Sequence, residues 1–221
     1  GGEKDHDKIR GKGSFKTSIA ALELGLENNI HCRIHCTLTR DNENSLPDVM
    51  RIAQKYNVKL NTSIPSVHLD DPSLAFDNKK IRSYYSQLKE FHSKGYPVSN
   101  APSTLEYLSN WPGEFTYVSN KRDPNLPYLP CKRKDFSIYF DVNGESYPCA
   151  NVWSEYKFNA FENGVMEAFD EFSKVSCNNC VFEAEFHHLF QGNLSSVSSM
   201  IALGFLDKIK QKFSKSKSVS P

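Results

Sequence analysis

A ten-residue segment near the amino end, positions 30–39, constrains the fold more than any other part of the chain. Its sequence, IHCRIHCTLT, alternates apolar and polar residues without a break. The apolar positions are Ile30, Cys32, Ile34, Cys36 and Leu38, and the polar positions are His31, Arg33, His35, Thr37 and Thr39. Because successive side chains of a strand point to opposite faces, this pattern predicts a β-strand with one apolar and one polar face.

Helical patterns lie on both sides of this strand, and a second strand follows. From Ser14 to Asn28 apolar residues recur every three or four positions, which predicts a helix. A second helix is predicted to begin with Ser45 and Pro47, a capping residue and a first-turn proline. It leads into VKLNTSI, positions 58–64, which predicts the second strand. This order, with short connections, indicates parallel strands joined by crossovers, in an α/β barrel or an open α/β sheet.

The polar face of the first strand leaves two interpretations open. Strands covered by helices on both faces are usually apolar throughout, whereas this one is not. Its polar face could line a cavity, with Cys32 and Cys36 on the helix-covered side, or it could be the wet face of an edge strand. On the first interpretation the lumen is lined by Arg33, His35, Thr37, Asn61 and Ser63. Two strands are too few to close a barrel, so we expect the start of the fold to be missing.

Helices and then prolines follow the second strand. Apolar spacing predicts a helix from Ile81 to Phe91 that ends near Gly95, and a short helix over 104–108. Prolines at positions 112, 124, 127 and 130, with another at 102, favour extended backbone after these helices. The sequence therefore predicts a linker and a domain boundary at 111–130.

A β-hairpin is predicted between two cysteines, in the segment CKRKDFSIYFDVNGESYPC at positions 131–149. Apolar and polar residues alternate before the Asn143-Gly144 pair, which suits a two-residue type I′ turn because both central residues need positive φ. Such a turn would place Val142 opposite Glu145, Phe140 opposite Tyr147 and Ile138 opposite Cys149.

Four cysteines, Cys131, Cys149, Cys177 and Cys180, lie in or after this hairpin segment. The chain has no recognisable secretion signal, and reduced thiols or metal ligands are therefore favoured over disulfides. A straight strand would carry Cys131 more than ~20 Å from Cys149, beyond disulfide range unless the chain folds back. Cys177 and Cys180 form a CxxC pair within this set. Four thiolates suit either tetrahedral zinc or an iron–sulfur cluster, and the number of ligands alone does not distinguish these two kinds of site.

Two motifs resemble the radical SAM enzymes. The first motif resembles the auxiliary-cluster region of that family, called the twitch or shortened SPASM domain. It consists of Cys131, twelve residues, Gly144, four residues, Cys149 and the later CxxC pair, Cys177 and Cys180. The segment GEKDHDKIRGKGSF resembles the one after the fourth barrel strand, with matches at His6, Asp7, Arg10, Gly11, Gly13, Ser14 and Phe15. HCRIHCTLTRDN resembles the fifth strand, and GYPVSNAPSTLEYL is similar to a post-barrel segment. The resemblance covers residues 1 to about 192.

The resemblance implies an α/β fold with four parts. Residues 1–110 would be the C-terminal portion of a partial (β/α)6 barrel with post-barrel helices, and 111–130 a linker. Residues 131–192 would form a small α+β domain in which the four cysteines hold an auxiliary [4Fe-4S] cluster, and 193–221 a C-terminal helix and a basic Ser/Lys tail. The family's CxxxCxxC motif for the catalytic cluster is absent, so we expect a truncated and by itself inactive chain.

The full protein, by the same resemblance, would bind S-adenosylmethionine at a second [4Fe-4S] cluster and form a 5′-deoxyadenosyl radical that removes hydrogen from a substrate. The five lumen residues would touch S-adenosylmethionine or substrate, and the auxiliary cluster would transfer electrons or position the substrate. Expected partners are an electron donor and a peptide, protein or small-molecule substrate. With 27 basic and 26 acidic residues and no apolar run of ~20, neither nucleic-acid binding nor a membrane span is predicted. A cytoplasmic location is expected. The alternative is a zinc-stapled, non-enzymatic α/β binding module.

Overall fold

The computed structural model describes residues 1–64, 77–115, 125–129, 134, 137–149, 158–175 and 181. Its elements, in chain order, are helices α1 (Glu3–Arg10) and α2 (Ser14–Glu27), strand β1 (Arg33–Thr37), a 3₁₀ turn (Arg40–Asn42), helix α3 (Leu46–Lys55), strand β2 (Lys59–Ser63), helices α4 (Asn78–Ser93) and α5 (Pro102–Ser109), strands β3 (Tyr139–Phe140), β4 (Glu145–Tyr147) and β5 (Phe158–Asn159), and helices α6 (Ala160–Asn163) and α7 (Val165–Ser173). None of these helices combines the length and apolar character needed to cross a bilayer.

Strands β1 and β2 pair in parallel, with α3 as the crossover between them. The far side of β2 carries a further parallel bridge, because the N–H of Leu60 donates to Pro97 O at 2.7 Å and that of Ser99 donates to Leu60 O at 2.8 Å. The predicted parallel pairing with a helical crossover is confirmed. No sheet in the described part of the chain closes into a barrel.

The first strand is shorter than the alternation at 30–39 predicts, because the end of α2 uses part of that segment. Asn29 has a φ of 56°, and the N–H of Ile30 donates to Gly25 O at 2.8 Å. This backbone turn satisfies the Ile30 amide locally, so β1 begins only at Arg33.

The main core lies on the apolar side of this sheet, under α3, α4 and α5. Leu60 from β2, Leu88 from α4 and Leu105 from α5 are fully buried in it. Ile34 and Cys36 of β1 pack against the same cluster, so the apolar face of the strand is the helix-covered face. Cys32 lies against Gly25 of α2, so closely that a Cβ added at Gly25 would be 2.8 Å from the Cys32 Sγ.

Helix α1 was not predicted, and a carboxylate holds the turn that joins it to α2. One Asp7 carboxylate oxygen accepts from the N–H of Gly13 at 2.6 Å, and the other from the N–H of Phe15 at 2.8 Å and the Ser14 hydroxyl at 3.2 Å. These amides belong to the first turn of α2, where backbone donors lack partners within the helix. Asp7 therefore caps α2 from seven residues upstream.

Acid is expected to weaken this turn through Asp7. The backbone N–H groups of Gly13 and then Phe15 are the main reasons that the pKa of Asp7 lies below its usual value. The carboxylate therefore stabilises the fold above pH ~4, and this contribution is lost as the pH falls through the lower folded-state pKa. Asp7→Asn should lower the free energy of unfolding at neutral pH and flatten its dependence on pH below about 4, the ordinary pKa of an aspartate. Urea unfolding of both proteins across this range measures the difference, and identical pH slopes would contradict it.

The described parts of the predicted linker pack onto the main core. Trp111 and Phe115 are buried, and Leu126 and Tyr128 are partly buried against the same cluster. Arg82 of α4 donates to the carbonyl oxygens of Trp111 and Gly113, both at 3.2 Å. The backbone here is irregular, as the prolines predict, but its apolar side chains belong to the core of residues 1–110.

The predicted hairpin forms, but its predicted turn and register are wrong. Tyr139 pairs with Tyr147 and Phe140 with Ser146, one residue away from the predicted pairing. The connection is the three residues 142–144, in which Gly144 has a φ of 80° and Asn143 a negative φ. The cause is Asp141, whose carboxylate accepts from the N–H groups of Asn143 at 2.8 Å and Glu145 at 2.9 Å. This local side-chain turn makes the loop one residue longer than a type I′ turn.

A third strand and two helices complete the carboxyl-terminal part that the structure describes. Strand β5 pairs antiparallel with β4. Helix α7 buries Ala168 and Phe172 in a second, smaller core, against which Ile138 and Phe158 pack. The sequence patterns did not predict this helix pair.

Candidate functional site

The five residues predicted to line a lumen lie on one face of the β1–β2 sheet, here called the polar sheet face. The register places Arg33 opposite Lys59, His35 opposite Asn61 and Thr37 opposite Ser63. Partners in register share a face, so Lys59 is a sixth member of this set. Sequence reasoning omitted Lys59, although its position two residues before Asn61 is the signal that would have found it.

A hydrogen-bonded network joins four of these side chains. His35 Nε2 lies 3.0 Å from Ser63 Oγ, and His35 Nδ1 lies 3.4 Å from Asn61 Nδ2. Thr37 Oγ1 lies 3.4 Å from the same Ser63 Oγ. His35 is exposed, whereas Thr37, Asn61 and Ser63 are half-buried. The network brings together groups from both strands at the carboxyl end of the parallel pair.

The neighbours of His35 determine what this network can do chemically. An amide nitrogen can only donate, so Asn61 assigns Nδ1 as the acceptor and leaves the proton on Nε2, facing Ser63. In this tautomer His35 cannot take a proton from the Ser63 hydroxyl. The arrangement therefore suits the binding and orientation of a polar ligand rather than activation of a serine nucleophile.

The opposite face of β1 holds an inert thiol. Burial raises the pKa of the Cys36 thiol. A thiol kept protonated in this way is a poor nucleophile and a poor metal ligand. This fits the interpretation in which Cys36 lies on the helix-covered side of the sheet.

Cys149 is the one predicted cluster ligand among the residues that the structure describes. It follows β4 and Pro148 directly and is 9% exposed. Cys131, Cys177 and Cys180 lie outside the described residues, as does the predicted tail at 193–221. Within the described ranges no three His, Cys, Asp or Glu side chains are placed to hold a metal ion.

Residues that flank the cysteines make two further contacts. The Lys134 ammonium, three residues after Cys131, donates to the carbonyl oxygens of Ser173 at 2.6 Å and Val175 at 2.5 Å. Val175 in turn precedes Cys177 by two residues. Val181, next to Cys180, is buried in the main core. Lys134 thus links the start of the hairpin segment to the end of α7, where a cation also meets the negative end of the helix dipole.

Comparison with known proteins finds neither a matching family model nor a matching curated protein. Function is therefore inferred from the residues and contacts described above.

Proposed function

We propose that this chain is part of a radical SAM enzyme, in which it binds S-adenosylmethionine or substrate on the polar sheet face and carries an auxiliary [4Fe-4S] cluster. The two family-like motifs occur in the order that such an enzyme requires, the HDKIRGKGSF segment before the strands and the four cysteines after them. The observation that carries the proposal is the hydrogen-bonded polar face on two parallel strands, because an ordinary α/β sheet is apolar there.

The polar face supports ligand binding through the variety of its groups. His35 donates to Ser63 and accepts from Asn61, so a ligand is offered the Ser63 hydroxyl proton and the Asn61 amide oxygen. Each group is oriented by its neighbour before a ligand arrives, which lowers the entropic cost of binding. Arg33 and Thr37 extend the same face at its two ends.

The surroundings of Cys149 support the cluster. Its thiol is buried behind a hairpin whose loop length is set by Asp141 and Gly144. Lys134, three residues after Cys131, contacts Val175, two residues before Cys177. This contact joins the two segments whose cysteines a shared cluster would need to bring together.

The cofactors, when bound, supply the radical that removes hydrogen from the substrate and a centre that takes up an electron afterwards. The chain's own side chains position the ligand and bind the auxiliary cluster. His35, Asn61 and Ser63, with Arg33 and Thr37, hold the ligand on the sheet face. Cys131, Cys149, Cys177 and Cys180 hold the auxiliary cluster.

Anaerobic purification with iron, sulfide and zinc analysis tests this proposal. The wild-type chain should be coloured and contain about four irons per chain, since four thiolates complete a [4Fe-4S] cluster. Cys149→Ser should remove nearly all of the iron and the visible absorption, because it deletes a ligand. A colourless chain with one zinc would contradict the radical-enzyme proposal and favour a zinc-stapled binding module.

Two lysines at the end of α7 provide a matched comparison in the same assay. Lys134→Gln should lower the iron content, because it removes the contact between the segments that carry Cys131 and Cys177. Lys174→Gln should leave iron unchanged, because Lys174 is exposed and pairs with Glu171 of its own helix. Equal iron contents in these two variants would show that the Lys134 contact does not support the cluster.

A further inference from the structure

Two cations face each other at the amino end of the polar sheet face. Arg33 and Lys59 are register partners on adjacent parallel strands, which lie ~4.8 Å apart, so their side chains leave the same face side by side. Within the part of the chain that the structure describes, neither makes an ion pair or a hydrogen bond through its side chain. The described part of the sheet therefore holds a pair of like charges without an acidic partner.

Such a pair is unfavourable in the sheet itself. Like charges directly opposite each other on one face destabilise strand pairing, whereas most other residue pairs are neutral or favourable. Lys59 is also half-buried, so solvent screens its charge less than at an open surface. An anion between the two side chains would turn this repulsion into two attractions.

We propose that Arg33 and Lys59 form an oxyanion site for the carboxylate or phosphate group of a ligand that lies along the polar sheet face. This rests on the proposed use of that face for ligand binding and names the chemical class that binds there. The guanidinium offers two parallel donors to the two oxygens of such a group, and the ammonium adds a point charge.

The spacing along the strands describes the rest of the ligand. The site lies about 7 Å from the His35–Asn61 pair and about 13 Å from the Thr37–Ser63 pair, at ~3.3 Å per residue. A ligand that fills the face is therefore elongated, with an oxyanion at one end and polar groups that hydrogen-bond to the Asn61 amide and to the Thr37 and Ser63 hydroxyls further along. A compact apolar molecule would leave these groups unpaired.

Thermal unfolding with two probes, sodium succinate and inorganic phosphate, tests the site against sodium chloride at equal ionic strength. The wild-type chain should gain stability with at least one probe, and Arg33→Gln/Lys59→Gln should weaken the apparent affinity at least tenfold, as expected when charge-assisted hydrogen bonds are lost. Without any probe the double variant should be more stable than wild type, because the repulsion is gone. If the two residues had only a structural role, the double variant would instead be less stable than wild type without any probe.

Lys12→Gln/Lys79→Gln is the matched control, because it makes the same change in net charge at two exposed lysines. It should keep the response to the probes. Arg33→Lys should keep a weaker response, because the charge remains and the fork of donors is lost. A gain in stability with succinate but not with phosphate would identify a carboxylate ligand. A gain with phosphate but not with succinate would identify a phosphate ligand.

An equal response in wild type and Arg33→Gln/Lys59→Gln, or no response of wild type to either probe, would overturn the oxyanion site. The measurement needs neither iron nor S-adenosylmethionine. If the iron analysis contradicts the radical-enzyme proposal, the thermal-unfolding result can therefore still be interpreted. If thermal unfolding shows no oxyanion site, the result of the iron analysis is unaffected.

Discussion

Trp111→Ala is expected to lower the free energy of unfolding by about 3 to 5 kcal/mol, the usual cost of truncating a buried tryptophan. Trp111 is 1% exposed, and its ring lies 5.4 Å from that of Tyr107 and 5.0 Å from that of Tyr128, between centroids. Its Nε1 also donates to Glu114 O at 3.1 Å. Urea unfolding followed by circular dichroism measures the change.

Two further variants test whether the loss of stability comes from the buried indole ring of Trp111. Trp111→Phe keeps an aromatic ring and loses the indole donor, so its cost should be clearly smaller than that of alanine. Val142→Ala removes a similar kind of apolar group from a side chain that is 93% exposed, and it should be nearly neutral. A change below about 0.5 kcal/mol for Trp111→Ala, the range of surface positions, would show that the segment behaves as a free linker.

Gly144→Ala is expected to destabilise the hairpin by about 1 to 3 kcal/mol, the range for a residue held in a sparsely populated backbone region. Gly144 has a φ of 80°, and an added Cβ would lie 2.4 Å from the Phe161 ring. The substitution therefore meets both backbone strain and a steric overlap. Because Cys149 follows this hairpin, the iron content of the variant should fall as well.

Gly13→Ala separates the two causes. Gly13 has a φ of 86°, close to that of Gly144, and nothing lies within 4 Å of its added Cβ. It should show only the backbone cost, and Gly144→Ala/Phe161→Ala should approach the same value. Phe161 is 74% exposed, so its own removal costs little. Asn143→Ala should be almost neutral, and a large cost there would instead favour the type I′ turn, in which Asn143 needs positive φ.

The strands of the first sheet were predictable because their signal is local. Alternation in 30–39 and 58–64 identified the two strands, and it also identified five of the six side chains that share the polar face, all but Lys59. The start of α3 was equally visible, since Pro47 fixes its φ within the first turn of that helix. The predicted start of β1 was too early, because the Ile30 N–H donates to Gly25 O at the end of α2. The residue types of this segment do not reveal that hydrogen bond.

The hairpin shows how a local signal can still mislead. Asn143-Gly144 is the strongest short signal for a two-residue turn, and the predicted turn rested on that pair alone. Aspartate before such a pair can bond amides two and four residues onward, which lengthens the loop by one residue. Since side chains alternate with a period of two, this single residue changes which ones lie opposite each other.

The sequence by itself determined the elements whose information lies within a few residues: the two alternating strands, the helix between them and the spacing of the four cysteines. Only the tertiary structure decided which residues meet across the chain. It placed Arg33 beside Lys59, Lys134 on the end of α7, and Trp111 in the core rather than in a linker. These contacts join residues far apart in sequence, and they depend on how whole elements pack to bury apolar area, which no short pattern encodes.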